Sequence, residues 1–204
     1  MNQTERQLVE KLSQKLRYKF ERIEIHRKPS ASPKVKNYLR NELGYIPILQ
    51  PELDMIFWDR AGRFSAVEVK AFNPVEDNRT HPFYEGIGQA LALHRFGFDH
   101  VALWFMFLDV DINRMNQYGA EAWTFAQRDL KLPLDFTYFR VIKKSDDDFE
   151  FRPLRLTSRQ SGVELIEIND PDFPIHFVYK NPMKNLPVQR VIRRALELWL
   201  DNSI

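Results

Sequence analysis

Asp54, Glu68 and Lys70 are the residues whose types and spacing most favour chemistry in this chain. Asp54 begins the apolar run Asp-Met-Ile-Phe-Trp, and the other two end the run Ala-Val-Glu-Val-Lys. Two carboxylates a few ångströms apart repel each other unless a cation lies between them. Carboxylate oxygens, with a backbone carbonyl such as that of Val69, suit Mg²⁺ or Mn²⁺, which keep several waters. A lysine beside such a metal can orient or deprotonate a water and stabilise charge on a phosphate.

A predicted β-hairpin brings these three residues together. Residues 53–58 and 64–69 have strand patterns, and the Asp-Arg-Ala-Gly between them is typical of a turn. Because side chains alternate between the faces of a strand, Glu68 and Lys70 point the same way. If the strands pair, Asp54 at the start of the first strand lies beside both. The alternative is an exposed hairpin edge with a surface salt bridge, because Glu and Lys two apart are common on exposed strands.

Asp54, followed after a short hairpin by Glu-Val-Lys, resembles the signature of the PD-(D/E)xK nuclease superfamily. The resemblance implies that the acids bind a metal and that the lysine assists hydrolysis of a phosphodiester. The sequence departs from that pattern at the proline, because Pro51 does not directly precede the aspartate. Glu52 is therefore an alternative first acid. The position of Asp54 at the mouth of a predicted strand favours Asp54.

A predicted N-terminal helix adds a further carboxylate. Apolar residues recur at helical spacing from Leu8 to Phe20, and Glu5 falls in the middle of their stripe. The run Glu-Arg-Gln-Leu-Val resembles the first helix of archaeal Holliday-junction resolvases, which implies that Glu5 is a further or water-bridged metal ligand. The alternative is that Glu5 is simply favourable at a helix N-terminus. The compact, cysteine-free chain also resembles nucleases encoded by archaeal viruses or mobile elements.

Gln89 lies in a small, apolar patch of the helix predicted over residues 83–96. Many superfamily members place a polar residue on the helix after the lysine strand. This resemblance implies that Gln89 orients Lys70 or a water. The tyrosine that some branches carry four residues later is replaced by Leu93.

A basic group of residues precedes the hairpin, and contact with phosphates is its functional interpretation. A solvated helix face is the alternative for each of them. The chain has 30 basic and 28 acidic residues, so its net charge of +2 is weak evidence for a polyanionic partner. DNA is expected as the partner chiefly because of the resemblance. The residues of this group are Arg27, Lys28, Lys34 and Lys36.

The expected fold is α/β, with a restriction-endonuclease-like core in which a central mixed β-sheet is flanked by helices. The order helix, strand, hairpin, helix, strand over residues 1–108 resembles the core topology of the superfamily. Residues 109–204 are expected to form a strand-and-helix extension, including a strand over 175–179. A length of 204 residues with 44% hydrophobic content suits a single domain, 1–204. No apolar run is long enough to cross a bilayer, which predicts an intracellular, cytoplasmic protein.

These features together predict a Mg²⁺- or Mn²⁺-dependent DNA endonuclease, and the resemblance implies selectivity for junctions or branched DNA. Cleavage of two strands at defined positions is simplest for a homodimer with two active sites. One alternative is a catalytically silent nuclease fold used for DNA binding or assembly. Another is a sequence-specific restriction-type enzyme, which normally needs a clearer recognition appendage.

Overall fold

The computed structural model describes residues 3–49, 52–72, 82–159, 162–168, 175 and 177–204. An irregular loop that the sequence predicts over residues 73–82 lies outside these ranges except at its last residue. The helices are α1 (Gln3–Leu16), α2 (Pro33–Leu43), α3 (Pro82–Leu93), α4 (Ile112–Trp123) and α5 (Pro187–Leu200). The strands are β1 (Arg22–Arg27), β2 (Leu53–Trp58), β3 (Phe64–Phe72), β4 (His100–Leu108), β5 (Asp135–Lys143), β6 (Phe149–Arg159) and β7 (Gly162–Glu167).

Within the described residues, seven strands form one mixed sheet in which the spatial order follows the chain order. β1, β2 and β3 pair antiparallel, β3, β4 and β5 pair parallel, and β5, β6 and β7 pair antiparallel. The predicted class, a mixed α/β sheet flanked by helices with further strands and a helix towards the C-terminus, is confirmed. The strands after residue 108 extend the same sheet, so the sheet is continuous across that boundary.

Helices cover both faces of the sheet and divide the core in two. The apolar side of α1 packs on one face, against side chains such as Met55, Val67 and Trp104. Side chains of α2, α3, α4 and α5 form the second cluster on the other face, with Ile56 and Phe105. β4, at the centre, is buried at every residue because both of its faces are covered. No helix in the described ranges is long and apolar enough to span a membrane.

Local sequence signals set the ends of several elements. Ser32 caps α2 by accepting a hydrogen bond from the Val35 amide at 3.3 Å, and Gly44 ends this helix with φ of 77°. The Asp111 carboxylate caps α4, as the sequence predicts. The sequence predicts this helix over about Ile112 to Leu130. The helical stretch covers nearly all of that range, as α4 to Trp123 and then as π-helical turns over Thr124–Asp129.

The strand predicted over residues 175–179 is wrong for the part that the structure describes. The amides of Val178 and Tyr179 donate to the Asp135 carboxylate, at 3.1–3.3 Å, and not to a neighbouring strand. Lys180 then pairs with His100 in an isolated bridge. A side chain therefore takes the place of a strand partner, which an alternating apolar pattern cannot reveal.

Candidate active site

The candidate site lies where β2 and β3 stop pairing. Their antiparallel register ends at Met55 opposite Val67, so Asp54 and Glu68 would form the next facing pair. At this point Oδ2 of Asp54 accepts a hydrogen bond from the Val69 amide at 2.8 Å. A carboxylate thus replaces the strand acceptor, and the edge of β3 opens beyond it.

Glu5 satisfies a second amide on the same open edge. Its Oε2 accepts a hydrogen bond from the Ala71 amide at 3.0 Å. α1 covers the face of the sheet opposite to Glu68 and Lys70, and its first turn lies at the edge where β2 diverges. Glu5 is 5% exposed, so its predicted position on the buried stripe is confirmed.

Lys70 brings the positive charge to this group. Its Nζ lies 3.0 Å from Oε1 of Glu68, and strand alternation places both side chains on one face. Asp54, Glu68 and Lys70 are 4%, 3% and 8% exposed, respectively. The hairpin prediction is therefore confirmed, and the surface salt bridge considered as its alternative is excluded by burial.

The charges of this group are not balanced. Burial and, to a smaller extent, the neighbouring Glu68 carboxylate together raise the pKa of Asp54 to about 8, against the lowering effect of the Val69 amide. Burial also raises the pKa of Glu68 and of Glu5, although Lys70 partly offsets both increases. Burial alone would lower the pKa of Lys70, but Glu68 and Glu5 raise it above its usual value. Among the described side chains, three carboxyl groups share one buried cation, so an added positive charge would stabilise their ionised forms.

The donor set fits an open Mg²⁺ or Mn²⁺ site and not a closed protein cage. Within the described ranges, no three His, Cys, Asp or Glu side chains form a ready-made metal-binding group. Asp54 and Glu68 occupy facing positions at the mouth of the hairpin, and water supplies the remaining ligands in sites of this type. Val69 contributes its amide to Asp54, and its carbonyl stays a predicted ligand.

Glu52, the alternative first acid, belongs to a different group of charges. Its carboxylate lies 3.5 Å from Nδ1 of His26 and 3.8 Å from the side-chain nitrogens of Arg6 and Lys28. Glu52 is therefore surrounded by basic groups, whereas Asp54 faces other acids. This difference favours Asp54 over Glu52 as the first acid of the candidate site.

His26 is a residue near the site that the sequence does not single out. The β1–β2 register pairs Ile25 with Met55 and Arg27 with Leu53, which leaves His26 opposite Asp54. His26 has φ of 53°, an uncommon value for a non-glycine residue within a strand. The alternation of the surrounding sequence predicts an ordinary strand residue, so no sequence signal indicates this distortion.

The helix after the lysine strand contacts Lys70 through a glycine. A Cβ atom at Gly86 would lie 2.8 Å from Cγ of Lys70, so the absence of a side chain lets the lysine lie against α3. Gln89 is half-buried one turn later, and its Oε1 is buried without a hydrogen-bond partner in the described part of the chain. Its predicted role in orienting Lys70 or a water stays a prediction.

The four predicted phosphate-binding residues differ in exposure and in the groups that they contact. Arg27 is exposed at the end of β1, opposite Leu53, the residue before Asp54, and forms an ion pair with Glu24. Lys28, also exposed, follows directly and lies 3.8 Å from Glu52. Lys34 donates to the carbonyl of Ile204 at 2.7 Å, and Lys36 is half-buried. Arg27 and Lys28 are therefore the two that border the candidate site.

Comparison with known proteins gives little further information. No family model matches the chain, and no curated protein matches it. Among solved structures, the chain is similar to Pyrococcus furiosus SfsA, which was determined in complex with Ca²⁺, at 14% identity and a TM-score of 0.36. The match covers 72% of this chain and 58% of the SfsA chain.

Proposed function

We propose that this protein is a Mg²⁺- or Mn²⁺-dependent DNA endonuclease that hydrolyses phosphodiester bonds. The supporting observation is the buried group of three carboxyls and one lysine at the open edge of β3. Isolated buried carboxylates are unfavourable, and here their pKa values are raised and not lowered. Strongly perturbed groups of this kind are typical of catalytic sites.

In this proposal each residue has a separate role. Asp54 and Glu68 would hold the metal, with the Val69 carbonyl and Glu5 as further or water-bridged ligands. When bound, such an ion would supply Lewis-acid chemistry to the phosphodiester and to water. Lys70, held by Glu68, positions the attacking water or stabilises charge that develops on the phosphate.

The substrate class is also a proposal. Arg27 and Lys28 border the site and supply positive charge for contact with phosphates. The likeness of α1 to the first helix of junction resolvases supports selectivity for branched or junction DNA. A homodimer would place two active sites on one duplex or junction. Light scattering that finds only monomer, with and without DNA, would refute the dimer and leave the nuclease proposal intact.

Cleavage of a panel of DNA structures tests the activity. The panel contains linear, flapped, single-stranded and four-way DNA, each with Mg²⁺, with Mn²⁺ and with EDTA. We expect the wild type to cut at least one substrate with metal and none in EDTA, and Glu68→Gln to cut none. Glu21→Gln is the matched control, because Glu21 is exposed near the opposite end of the β1–β2 pair and should retain full activity.

A second candidate function is DNA binding or assembly without catalysis. The observation that favours it is that the carboxylates also have a structural task, because Asp54 and Glu5 satisfy two β3 amides that β2 leaves unpaired. A wild type that binds DNA tightly but cuts no substrate with Mg²⁺ or Mn²⁺ would establish this second function.

A further inference from the structure

A cavity of about 330 Å³ lies at the start of β5, beside the C-terminal end of α4. Phe136 and Tyr138 on its wall are in register with Leu103 and Phe105 of β4, which are in register with Glu68 and Lys70 of β3. Neighbouring strands lie about 4.8 Å apart, so the backbones of β3 and β5 are separated by about 10 Å. α3 packs over β3 and β4. The cavity is therefore separate from the candidate active site.

The walls of this cavity offer flat apolar surfaces. Trp123, Phe136 and Tyr179 all line it, and Tyr179 is 43% exposed. Aromatic side chains with accessible faces are the surfaces on which nucleobases stack, whatever the base. The volume is at the lower end of the range for small-molecule sites, which suits one planar ring system with a short substituent.

A buried carboxyl group adds a hydrogen-bond acceptor. Asp135 is 6% exposed and lines the cavity, and its two oxygens accept hydrogen bonds from the Val178 and Tyr179 amides. These bonds hold Tyr179 in place as a wall. Each amide is shared between both oxygens, so only two N–H groups occupy the roughly four acceptor positions of the carboxylate, and Asp135 keeps capacity for an N–H donor of a ligand. Acidic side chains accept hydrogen bonds from the exocyclic amino groups of bases in the same way.

An arginine completes the set. Arg155 lines the cavity, is exposed, and forms no ion pair or side-chain hydrogen bond with any other described residue. Elsewhere on the same sheet, Arg140 and Arg152 are both paired with Glu167. A guanidinium beside aromatic walls matches the bidentate geometry of a phosphate group.

We propose that this cavity binds one nucleotide. Its ring stacks on the aromatic walls, an amino or ring N–H group donates to Asp135, and its phosphate pairs with Arg155. A free nucleotide and the terminal nucleotide of a DNA strand offer the same chemistry. The proposal goes beyond hydrolysis and does not depend on it.

Isothermal titration calorimetry with AMP, GMP, CMP and TMP in metal-free buffer tests the site on the full chain. We expect at least one nucleotide to bind with one-to-one stoichiometry. Arg155→Ala should weaken that binding by at least about tenfold, because a charge-assisted contact is lost. Arg190→Ala is the matched control: Arg190 is an exposed arginine on α5, and its substitution should leave binding unchanged. Trp123→Leu should also weaken binding. If Trp123→Leu does not fold, the comparison of Arg155→Ala with the wild type is sufficient to test the site.

Further measurements distinguish binding in this cavity from binding in the candidate active site, and a free nucleotide from the end of a DNA strand. Lys70→Ala should bind nucleotide like the wild type, and loss of binding in that variant would place the ligand in the active site and overturn the proposal. If no free nucleotide binds at 10 mM, a 5′-phosphorylated oligonucleotide is titrated next. Binding of the oligonucleotide that is lost in Arg155→Ala would show that the cavity takes the terminal nucleotide of a DNA strand. Failure of both kinds of ligand to bind would overturn the proposal. Cleavage of DNA by Lys70→Ala or by the wild type does not affect either result.

Discussion

Two buried aspartates, Asp54 and Asp99, have the same structural task at two places along β3. Oδ2 of Asp99 accepts a hydrogen bond from the amide of Phe64, the first residue of the strand, at 2.9 Å. Oδ2 of Asp54 accepts one from the amide of Val69, further along the same strand, at 2.8 Å. Asp54 is 4% exposed and Asp99 is 9% exposed, so both residues are buried.

The charges around these two aspartates are opposite. Asp99 pairs with Nζ of Lys184 at 2.8 Å and with the guanidinium of Arg193 at 3.0 Å. Burial alone would raise the pKa of Asp99, but Lys184, the Phe64 amide and Arg193 hold it below its usual value. Asp54 faces Glu68 and Glu5, and burial with these like charges raises its pKa to about 8.

This difference separates an acid with a structural role from one that we assign to function. Where the carboxylate only supports the fold, as at Asp99, the chain supplies two cations from distant segments. At Asp54 the chain adds further acids and one lysine, which destabilises the ionised form unless a cation binds. We infer that this excess of acidic groups around Asp54 serves catalysis.

The largest expected effect is a difference in cleavage rate between substitutions of Lys70, near Asp54, and of Lys184, near Asp99. Lys70→Ala should lower single-turnover cleavage by roughly 10²–10⁴-fold, the range for a positioned acid–base group. Its DNA affinity, measured in Ca²⁺, should change little, because one phosphate contact is a small part of the footprint. Lys184→Ala, which removes a partner of Asp99, should leave cleavage unchanged. Cleavage by Lys70→Ala at the wild-type rate would show that the proposed mechanism is wrong.

Neutralising each aspartate should change stability in opposite directions. Asp99→Asn removes charge-assisted contacts with two partly exposed cations, so we expect a loss of about 1–3 kcal/mol in the free energy of unfolding. Asp54→Asn keeps an oxygen for the Val69 amide and removes the free-energy cost of burying an acid that is ionised in the unfolded chain, so metal-free protein should be more stable. Urea unfolding at pH 7.5 measures both. Equal destabilisation by the two substitutions would remove the distinction between the regions.

The two aspartates should also give opposite pH dependences. The folded-state pKa of Asp54, about 8, exceeds its ordinary value of 3.8, so the folded state binds more protons between these values. Its contribution to the stability of metal-free protein therefore falls as pH rises from about 4 to about 8. The pKa of Asp99 is lowered, so its contribution is present above the ordinary value and is lost as pH falls. The advantage of Asp54→Asn over wild type should grow between pH 5 and pH 8, and an advantage that shrinks would contradict the assignment.

The smallest expected effect concerns two glycines of α3. A Cβ at Gly86 would meet Cγ of Lys70 at 2.8 Å, so Gly86→Ala should displace the lysine and lower cleavage by about tenfold. A Cβ at Gly88 would meet nothing within 4 Å. Gly88→Ala should therefore raise stability by about 0.5–1 kcal/mol through helix propensity and leave activity unchanged. Equal activity of the two variants would show that contact with Gly86 does not position Lys70.

Short-range patterns were sufficient to predict the centre of the candidate site. A turn between two alternating segments places Asp54 beside Glu68 and Lys70, and the helical stripe places Glu5 on a buried face. Each of these predictions needs only the period of a strand or a helix and the position of a turn. The mixed sheet flanked by helices was expected from the resemblance of the element order to the core of a known nuclease superfamily.

Features that depend on distant segments could not be predicted in this way. Asp99 meets Lys184 and Arg193 from the C-terminal part of the chain, and the sequence gives no sign of that pairing. The segment ending at Tyr179 is held by Asp135 and not by a strand, because a side chain there replaces backbone pairing. The positive φ of His26 is a local backbone distortion, which residue types rarely predict.

Calorimetric titration of Mn²⁺ into the metal-free protein tests the central claim most directly, namely that the acids at the open edge of β3 are unbalanced because they bind a cation. We predict weak binding by the wild type, with release of protons at pH 7 because metal displaces the proton of Asp54. Asp54→Asn should bind much more weakly, and Asp99→Asn, if folded, should bind like the wild type. Unchanged binding of Mn²⁺ by Asp54→Asn, or no binding by the wild type, would contradict the account.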